Sequence, residues 1–337
     1  MFLANMVDFY DKIFFPALIE NNIKLCLILG DTFDRRKYLN LYTLHVAKQK
    51  FFDRFRDLGI EVKILYGNHD TFFRNTNEVN SIDFIAAEYP NMEVISKPKV
   101  FDFDGLKVGM ISWIHSAAFE ESIEFIRTVQ CDILMGHFEI STFEMVKGAF
   151  CEHGLDKTLF DRFDQVYSGH FHVVSTDGRI SYLSNPNETN WGDYGLIKGA
   201  WILDTATRER ARIENTINLF EKITYTDDLE LLEFDFDKYA GKIVRVYTTA
   251  FGVENKSKMG IFLDKLATKA HSVDLQETGG LDSDEVGDVA DLEETTTKAV
   301  ISQYVETYTA GSTFDKAVLM AYFDDVLSEA QEKTTSG

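Results

Sequence analysis

Four short polar motifs each follow an apolar run long enough to form a β-strand. They are Gly30-Asp31, Gly67-Asn68-His69-Asp70, Gly136-His137 and Gly169-His170-Phe171-His172. The carboxyl ends of strands in an α/β sheet meet at one edge, so polar residues placed there share a cleft. A glycine before each polar residue lets the backbone turn sharply. We therefore expect these side chains to form one site.

The mixture of ligand types in these motifs indicates which metals would bind. One carboxylate, one amide and several imidazoles suit Mn²⁺, Fe²⁺ or Zn²⁺ better than Mg²⁺ or Ca²⁺, which prefer oxygen ligands. Two such ions a few ångströms apart clamp the attacking and leaving oxygens of a phosphodiester. We expect two divalent ions, with Mn²⁺ as the first choice.

Each motif also has an ordinary structural explanation when it is taken alone. Asp31 is placed to cap a helix or form a turn, and Gly-Asn-His-Asp is a plausible tight turn. A single histidine such as His137 is commonly a hydrogen-bonded core residue. The order of the four motifs, each after a strand, is what favours the metal site.

The motifs resemble those of the calcineurin-like metallophosphoesterase superfamily, and their spacing is similar to that of its SbcD-type DNA nucleases, which include the recombination endonuclease subunits of tailed phages. The resemblance implies a two-metal phosphodiesterase in which Asp31 bridges the ions. It implies that His172 is a ligand of the first ion and that the second ion has the further ligands Asn68, His137 and His170. It also implies that His69 contacts the scissile phosphate and assists the leaving group, with Asp70 orienting it.

One family motif is missing from the chain. The superfamily opens with a strand that ends in Asp-x-His, yet none of the eight histidines follows an Asp by two positions. We interpret the first domain as N-terminally incomplete, so that the first metal keeps only Asp31 and His172. We expect the chain as it stands to bind one metal well at most and to cleave DNA poorly.

The alternation of short apolar runs with amphipathic segments predicts an α/β fold. The resemblance implies the metallophosphoesterase β-sandwich flanked by helices, with a small α+β capping module and C-terminal helices. We predict a nuclease domain over 1–214, a capping or DNA-binding module over 215–276, an acidic linker over 277–295, and helices for an ATPase partner over 296–337. Strands are expected at Lys24–Leu29, Val62–Tyr66, Met92–Ile95, Leu106–Ser112, Cys131–Met135, Gln165–Ser168, Ile180–Leu183, Ala200–Asp204, Lys242–Thr248 and Ser272–Gln276. Helices are expected at Phe2–Glu20, Leu39–Leu58, Ile82–Glu88, Glu120–Val129, Leu155–Phe160 and Lys256–Ala270.

Composition restricts the possible partners. The net charge of −21 argues against a chain that wraps nucleic acid by itself, because Lys and Arg contacts to phosphate supply most non-specific affinity. We expect DNA binding to be local, assisted by metal or shared with a partner. No secretory signal or membrane-length apolar run is visible, which predicts a cytoplasmic protein. The three cysteines predict no disulfide framework.

Several residues beside the motifs are candidates for substrate or partner contacts. Arg35 and Arg74 follow site loops and are possible phosphate contacts, although solvated surface charge is the ordinary role of such residues. A C-terminal apolar stripe is predicted to dock an SbcC-type coiled-coil ATPase, or else to pack on its own domain: Phe314, Leu319, Tyr322, Phe323 and Val326. The resemblance further implies a homodimer formed near the cleft.

Two other functions compete with the nuclease interpretation. The stretch from Gly30 to Arg35 also resembles the phosphatase signature Gly-Asp-x-x-Asp-Arg-Gly, but Arg36 occupies the position of the last glycine. A phosphoprotein phosphatase or small phosphodiesterase is therefore one alternative. The other is a non-catalytic scaffold for the ATPase, because the first metal motif is absent.

Overall fold

The computed structural model describes residues 1–248 and 253–277. The predicted acidic linker, apart from Glu277, and the C-terminal stripe from Phe314 to Val326 lie outside the described residues. Seven α-helices occur in the described part: α1 Phe2–Phe9, α2 Phe15–Glu20, α3 Leu41–Ala47, α4 Asp53–Asp57, α5 Ser81–Ala86, α6 Phe119–Thr128 and α7 Lys256–Ala267. Sixteen strands accompany them: β1 Leu25–Ile28, β2 Glu61–Leu65, β3 Met92–Ile95, β4 Lys99–Phe103, β5 Leu106–Ile111, β6 Ile133–Gly136, β7 Glu144–Val146, β8 Ala149–Phe150, β9 Gln165–Ser168, β10 Ser175–Thr176, β11 Ile180–Tyr182, β12 Gly199–Leu203, β13 Arg210–Glu214, β14 Phe220–Tyr225, β15 Ile243–Thr248 and β16 Ser272–Glu277.

Two sheets carry the strands that lead into the polar motifs. The first has the order β1-β2-β3 and is parallel throughout. The second has the order β10-β11-β9-β6-β5-β4, with a parallel centre and antiparallel edge pairs. Between them lies a buried layer to which Leu65 and Ile95 contribute from the first sheet and Val108, Met135 and Tyr167 from the second. The α/β sandwich predicted from the sequence is therefore present.

Helices cover the outer faces of both sheets. The aromatic residues of α1, α2 and α4 pack with β2 in one core cluster, while α6 packs with the second sheet in another. The two long helices predicted from the sequence are helical, but a π-helical turn interrupts each, at Tyr10–Phe14 and at Lys48–Phe52. Bulky rings such as Phe14 and Phe51 lie in these turns and are 6.4 Å apart. The turns thus bring aromatic side chains to the helix interface.

Two sequence predictions of local structure were wrong. Leu155–Phe160 is not an α-helix. The structure has a 3₁₀-helix at Lys157–Phe160, capped by the Asp156 side chain, which accepts a hydrogen bond from the Thr158 amide. The other error is that no strand was predicted directly after Asn215, where the structure has β14 paired in parallel with β15. Glu221 and Lys222 interrupt the apolar pattern of β14, so the sequence does not distinguish this segment from a loop.

A separate core lies under a third sheet. Its order is β14-β15-β16, and all neighbouring pairs are parallel. Helix α7 covers one face by placing Phe262 and Leu266 against Val244 and Val246. The predicted β-α-β arrangement is present here, with β14 as a third strand. No helix in the described residues is long and apolar enough to cross a membrane.

Strand β1 has a neighbour on one side only among the described residues, because it pairs with β2 and with nothing else there. A cavity of about 1800 Å³ opens beside it. The cavity is lined by β1 itself, by α1, and by residues of β12 such as Trp201 and Leu203. It extends to the polar loops at the carboxyl end of β1, so the site described below opens into a deep cleft.

We predict that Phe55→Ala destabilises the folded protein by about 3–5 kcal/mol, because a large buried ring is replaced by a cavity. Phe55 is fully buried and makes edge contacts with Phe15 at 5.2 Å and Phe51 at 4.9 Å. Urea denaturation followed by tryptophan fluorescence measures the change. Phe150→Ala is the matched control because that ring is 58% exposed, and it should change stability by less than about 0.5 kcal/mol. Equal midpoints for both variants would contradict this packing.

Candidate metal centre

The polar motifs converge at the carboxyl ends of four strands. Asp31 follows β1, Asn68 follows β2, His137 follows β6, and His170 follows β9. The carboxylate of Asp31 and the rings of His137 and His170 form a group whose ligand atoms all lie within 4.8 Å of one another. Four loops that are distant in sequence thus build one site.

The loops approach so closely that side chains are excluded at two glycines. A Cβ added to Gly67 would lie 2.0 Å from Oδ1 of Asp31, and one added to Gly30 would lie 2.5 Å from Nδ1 of His137. Gly30 also has φ +89°, a conformation that other residues rarely adopt. These glycines are needed for the contact between the loops, as well as for the turns themselves.

Two of the polar residues have unusual backbone conformations. Asp31 has φ 52° and His170 has φ 80°, both in the left-handed region that non-glycine residues seldom occupy. Such strain is found where the surrounding structure requires a particular side-chain position. Here the left-handed backbone conformation directs the side chains of Asp31 and His170 into the cluster.

The donor atoms are spaced as ligands of a single ion would be. The Nε2 of His137 lies 2.9 Å from Oδ1 of Asn68 and 3.2 Å from Oδ2 of Asp31. The Nδ1 of His170 lies 3.0 Å from the same Asn68 oxygen and 3.1 Å from Nε2 of His137. Donor atoms that share an octahedral ion at about 2.1 Å lie about 3 Å apart. The residues therefore fit a divalent cation, and the mixed nitrogen and oxygen set suits a transition metal.

The hydrogen bonding of His137 fixes which of its nitrogens faces the cluster. Its Nδ1 lies 2.7 Å from the carbonyl oxygen of Leu29, the last residue before Gly30. A carbonyl only accepts, so Nδ1 carries the proton and donates it. Nε2 is then the ring nitrogen directed at Asn68 and Asp31, and when it is unprotonated its lone pair is available to a metal ion.

The electrostatics of the cluster favour an anionic Asp31. Burial alone would raise the pKa of Asp31, but the charge and hydrogen bond of His137 hold it well below its usual range. Burial would lower the pKa of His137, and Asp31 raises it above the ordinary value. Burial and the nearby His137 lower the pKa of His170 to about 3. His170 is therefore neutral near pH 7 and has a lone pair available for a cation.

The carboxyl group of Asp70 joins two of the metal loops. One oxygen accepts hydrogen bonds from the amides of Thr32 at 3.0 Å and Phe33 at 3.3 Å, and the other accepts from the Gly67 amide at 2.9 Å. Asp70 is only 1% exposed. Burial and the charge of Asp31 raise the pKa of Asp70 to about 7. Asp70 thus holds the loop after β1 against the loop after β2.

The ring of His69 lies in the cleft and is oriented by a backbone group. Its Nδ1 lies 2.7 Å from the carbonyl oxygen of Asp34, while its amide donates to Oδ1 of Asp31 at 2.8 Å. The contacts of Asp70 run to backbone amides, and the Asp34 carbonyl is the group that positions the ring. The catalytic roles of His69 and Asp70 inferred from the resemblance stay predictions.

The remaining predicted residues lie around the same cleft. The ring of His172 is not part of the compact ligand group found among the described residues, although His172 lines the cavity. Arg35 and Arg74 also line it. The Nε of Arg35 lies 3.4 Å from Oδ2 of Asp34, and its Cζ lies 5.6 Å from the centre of the Tyr38 ring. Both arginines are thus placed beside the cleft, and a role in phosphate binding stays a prediction.

Sequence reasoning missed several groups that shape the site. The carbonyl groups of Leu29 and Asp34 orient the two histidine rings, and backbone atoms give no signal in a sequence. It also missed Lys198, whose ammonium group donates to the carbonyl of His172 at 2.9 Å. A lone lysine in a polar stretch before β12 is ordinarily expected on the surface.

Comparison with known proteins identifies the family to which this arrangement belongs. Residues 3–174 match the family model described as calcineurin-like phosphoesterase. This range includes the first sheet, four of the six strands of the second sheet and all four metal loops. The chain belongs to the calcineurin-like phosphoesterase family. The fold and the superfamily predicted from the sequence are thereby confirmed.

One curated relative extends the similarity beyond the phosphoesterase region. The chain is 28% identical over 314 residues to exonuclease subunit 1 of Enterobacteria phage T4, covering 93% of this chain and 89% of the phage protein. Among solved structures, an archaeal phosphodiesterase matches 60% of this chain and 88% of its own chain, at 14% identity and a TM-score of 0.31.

We predict that Asp70→Asn weakens Mn²⁺ binding about tenfold. This is the lower end of the loss of metal affinity seen when a residue that supports a metal ligand is replaced. Both oxygens of Asp70 accept hydrogen bonds from backbone amides, but asparagine has only one oxygen. Its NH₂ group would therefore face either the Gly67 amide or the amides of Thr32 and Phe33, and the hydrogen bonds on that side would be lost. Calorimetric titration with Mn²⁺ measures the change. Asp177→Asn is the control, since Asp177 caps a turn at Ile180 away from the cleft. Unchanged affinity in Asp70→Asn would contradict the role of Asp70 in joining the loops.

Proposed function

We propose that this protein is a metal-dependent DNA nuclease, the phosphodiesterase subunit of an SbcCD-like recombination and repair complex. The observation that carries the proposal is the convergence of four donor atoms about 3 Å apart beside His69 in one cleft. The phage relative, which is named as an exonuclease subunit, supports DNA as the substrate. It also supports action within an assembly.

The chain's own residues define the chemistry of the site. Asp31, Asn68, His137 and His170 would hold the second divalent ion, and His172 is proposed, with Asp31, as a ligand of the first. Bound divalent ions would supply charge neutralisation at the phosphate and a more acidic water. Mn²⁺ suits the donor set, in which nitrogen and oxygen ligands are mixed.

His69 is proposed to contact the scissile phosphate and assist departure of the leaving oxygen. The Asp34 carbonyl accepts a hydrogen bond from Nδ1, which leaves Nε2 as the ring atom available to the substrate. The His69 amide remains bound to Asp31, so the ring is anchored beside the ligand group. In the imidazolium form, which carries a proton on each nitrogen, the proton at Nε2 is positioned for transfer to the leaving oxygen, and the ring is then neutral with its remaining proton on Nδ1.

We predict that His69→Ala lowers the rate of DNA cleavage at least about 100-fold, because proton transfer by a positioned side chain contributes about 10²–10⁴. Mn²⁺ affinity should stay within about twofold, since the backbone amide that binds Asp31 is retained in alanine. Nuclease assays on linear DNA and calorimetric titration measure the two effects. The control is His153→Ala, an exposed histidine in a loop. Cleavage by His69→Ala at the rate of the control would contradict the assignment.

Activity on two substrates separates the nuclease proposal from the phosphatase alternative. Hydrolysis of linear duplex DNA in Mn²⁺, with little release from a nitrophenyl phosphomonoester, supports a nuclease. The reverse preference would overturn it. Absence of both activities, in the presence of Mn²⁺ and an SbcC-type ATPase, would favour the scaffold alternative.

The partner is proposed from the sequence of the C-terminal region, which lies outside the described residues. We predict that deleting the residues after Gly311 prevents co-purification with an SbcC-type ATPase, because it removes the apolar stripe from Phe314 to Val326. The melting temperature of the remaining chain should be unchanged. Matched point variants are Phe323→Asp, which changes a residue of the stripe, and Lys316→Asp, which changes a polar residue of the same segment. Full retention of the ATPase by the shortened chain would contradict the docking role.

A further inference from the structure

A buried lysine lies at the centre of a polar cluster beside the metal cleft. The side chain of Lys198 is 3% exposed, and its Nζ lies 2.5 Å from Oδ1 of Asp193. The same ammonium donates to Oδ1 of Asn185 at 2.5 Å, the carbonyl of His172 at 2.9 Å and Oγ of Ser184 at 3.4 Å. Four oxygens from three chain segments, at His172, at Ser184 and Asn185, and at Asp193, therefore surround one cation.

The anionic partner of Lys198 is held equally firmly. The side chain of Asp193 is also 3% exposed. Its second oxygen accepts hydrogen bonds from the amide of Thr189 at 2.8 Å and the hydroxyl of Thr189 at 2.7 Å. Both charges are fully hydrogen-bonded, so the pair has a single arrangement.

A contribution to the stability of the fold does not by itself explain the buried ion pair of Lys198 and Asp193. Removing two charges from water costs several kcal/mol per ion, and replacement of a buried pair by apolar residues is often neutral or stabilising. A buried pair is better explained where it fixes a conformation. The group that it fixes here is the backbone of His172.

The carbonyl of His172 is bound from two directions. Ser184 Oγ donates to it at 2.5 Å, and Lys198 Nζ donates at 2.9 Å. Ser184 has φ 68° and His170 has φ 80°, so both loops that meet at this carbonyl are in strained conformations. Two hydrogen bonds to one carbonyl are suited to holding such loops in place.

We propose that Lys198, held by Asp193, is a positioning residue that sets the place of His172 in the metal cleft. The inference rests on the proposed function, in which His172 is a metal ligand. It assigns a role to the polar segment between β11 and β12, which the metal motifs do not include. Lys198 acts through the backbone of His172 and does not itself reach the ligand group.

A double-mutant cycle tests the proposal on the full-length chain, with the metal itself as the probe. We expect His172→Ala to weaken Mn²⁺ binding about tenfold at the site that His172 helps to form, as measured by calorimetric titration, and Lys198→Gln to weaken it there by a similar factor. Binding at the site of Asp31, Asn68, His137 and His170 should stay unchanged. The variant with both changes should bind no more weakly than either single variant, because both remove the same ligand. Two independent effects would instead multiply.

Two further variants separate positioning from general loss of structure. Lys242→Gln removes an ion pair of the third sheet, in which Nζ of Lys242 lies 2.6 Å from Oε1 of Glu221. This variant should leave Mn²⁺ affinity unchanged. Ser184→Ala removes one of the two bonds to the His172 carbonyl while keeping the buried ion pair. It should weaken Mn²⁺ binding about threefold with little change in melting temperature, and it serves as the test where Lys198→Gln does not fold.

The outcomes distinguish this proposal from the proposed function. If His172→Ala weakens Mn²⁺ binding but Lys198→Gln and Ser184→Ala do not, the positioning role is overturned and the ligand role stands. If His172→Ala has no effect, the ligand role fails and the positioning role fails with it. Multiplying effects in the cycle would also overturn the proposal, since they would show that Lys198 acts elsewhere.

Discussion

The close approach of electron-rich atoms is the interaction on which the site depends. The Nε2 of His137, the Nδ1 of His170 and Oδ1 of Asn68 lie within 2.9–3.1 Å of one another, although each comes from a different strand. Lone pairs brought together at this distance need a shared cation or proton to be stable. The fold provides the approach because parallel strands place their carboxyl ends side by side. Glycines at 30 and 67 remove the side chains that would otherwise keep the loops apart.

Two polar networks support this crowded centre. Asp70 binds the amides of the loops after β1 and β2, and Lys198 binds the carbonyl of His172 after β9. Both use buried charges whose hydrogen bonds run to the backbone, which restrains the path of the loop as well as one side chain. Burying such groups is costly unless every one is paired. The restraint that results is what a site with strained residues such as Asp31 and His170 requires.

Much of this architecture could be predicted from residue order, and the limits have physical causes. Met92–Ile95 and Gln165–Ser168 were predicted with the observed bounds, since each contains strand-forming residues such as Val94 and Tyr167 and is followed by polar residues or glycine. The convergence of Asp31, His137 and His170 followed from their positions after strands. The 3₁₀-helix at Lys157–Phe160 was missed because a single turn has too few residues to show a period. The contacts of Asp70 and Lys198 join segments far apart in sequence, and a pattern along the chain does not reveal them.

The central claim is that the four loops form one metal centre. Crystals grown with Mn²⁺, with diffraction data collected on both sides of the manganese absorption edge, test it most directly. We predict an anomalous peak about 2–2.5 Å from Asp31, Asn68, His137 and His170. A peak elsewhere in the chain, or none at these residues at millimolar Mn²⁺, would contradict it.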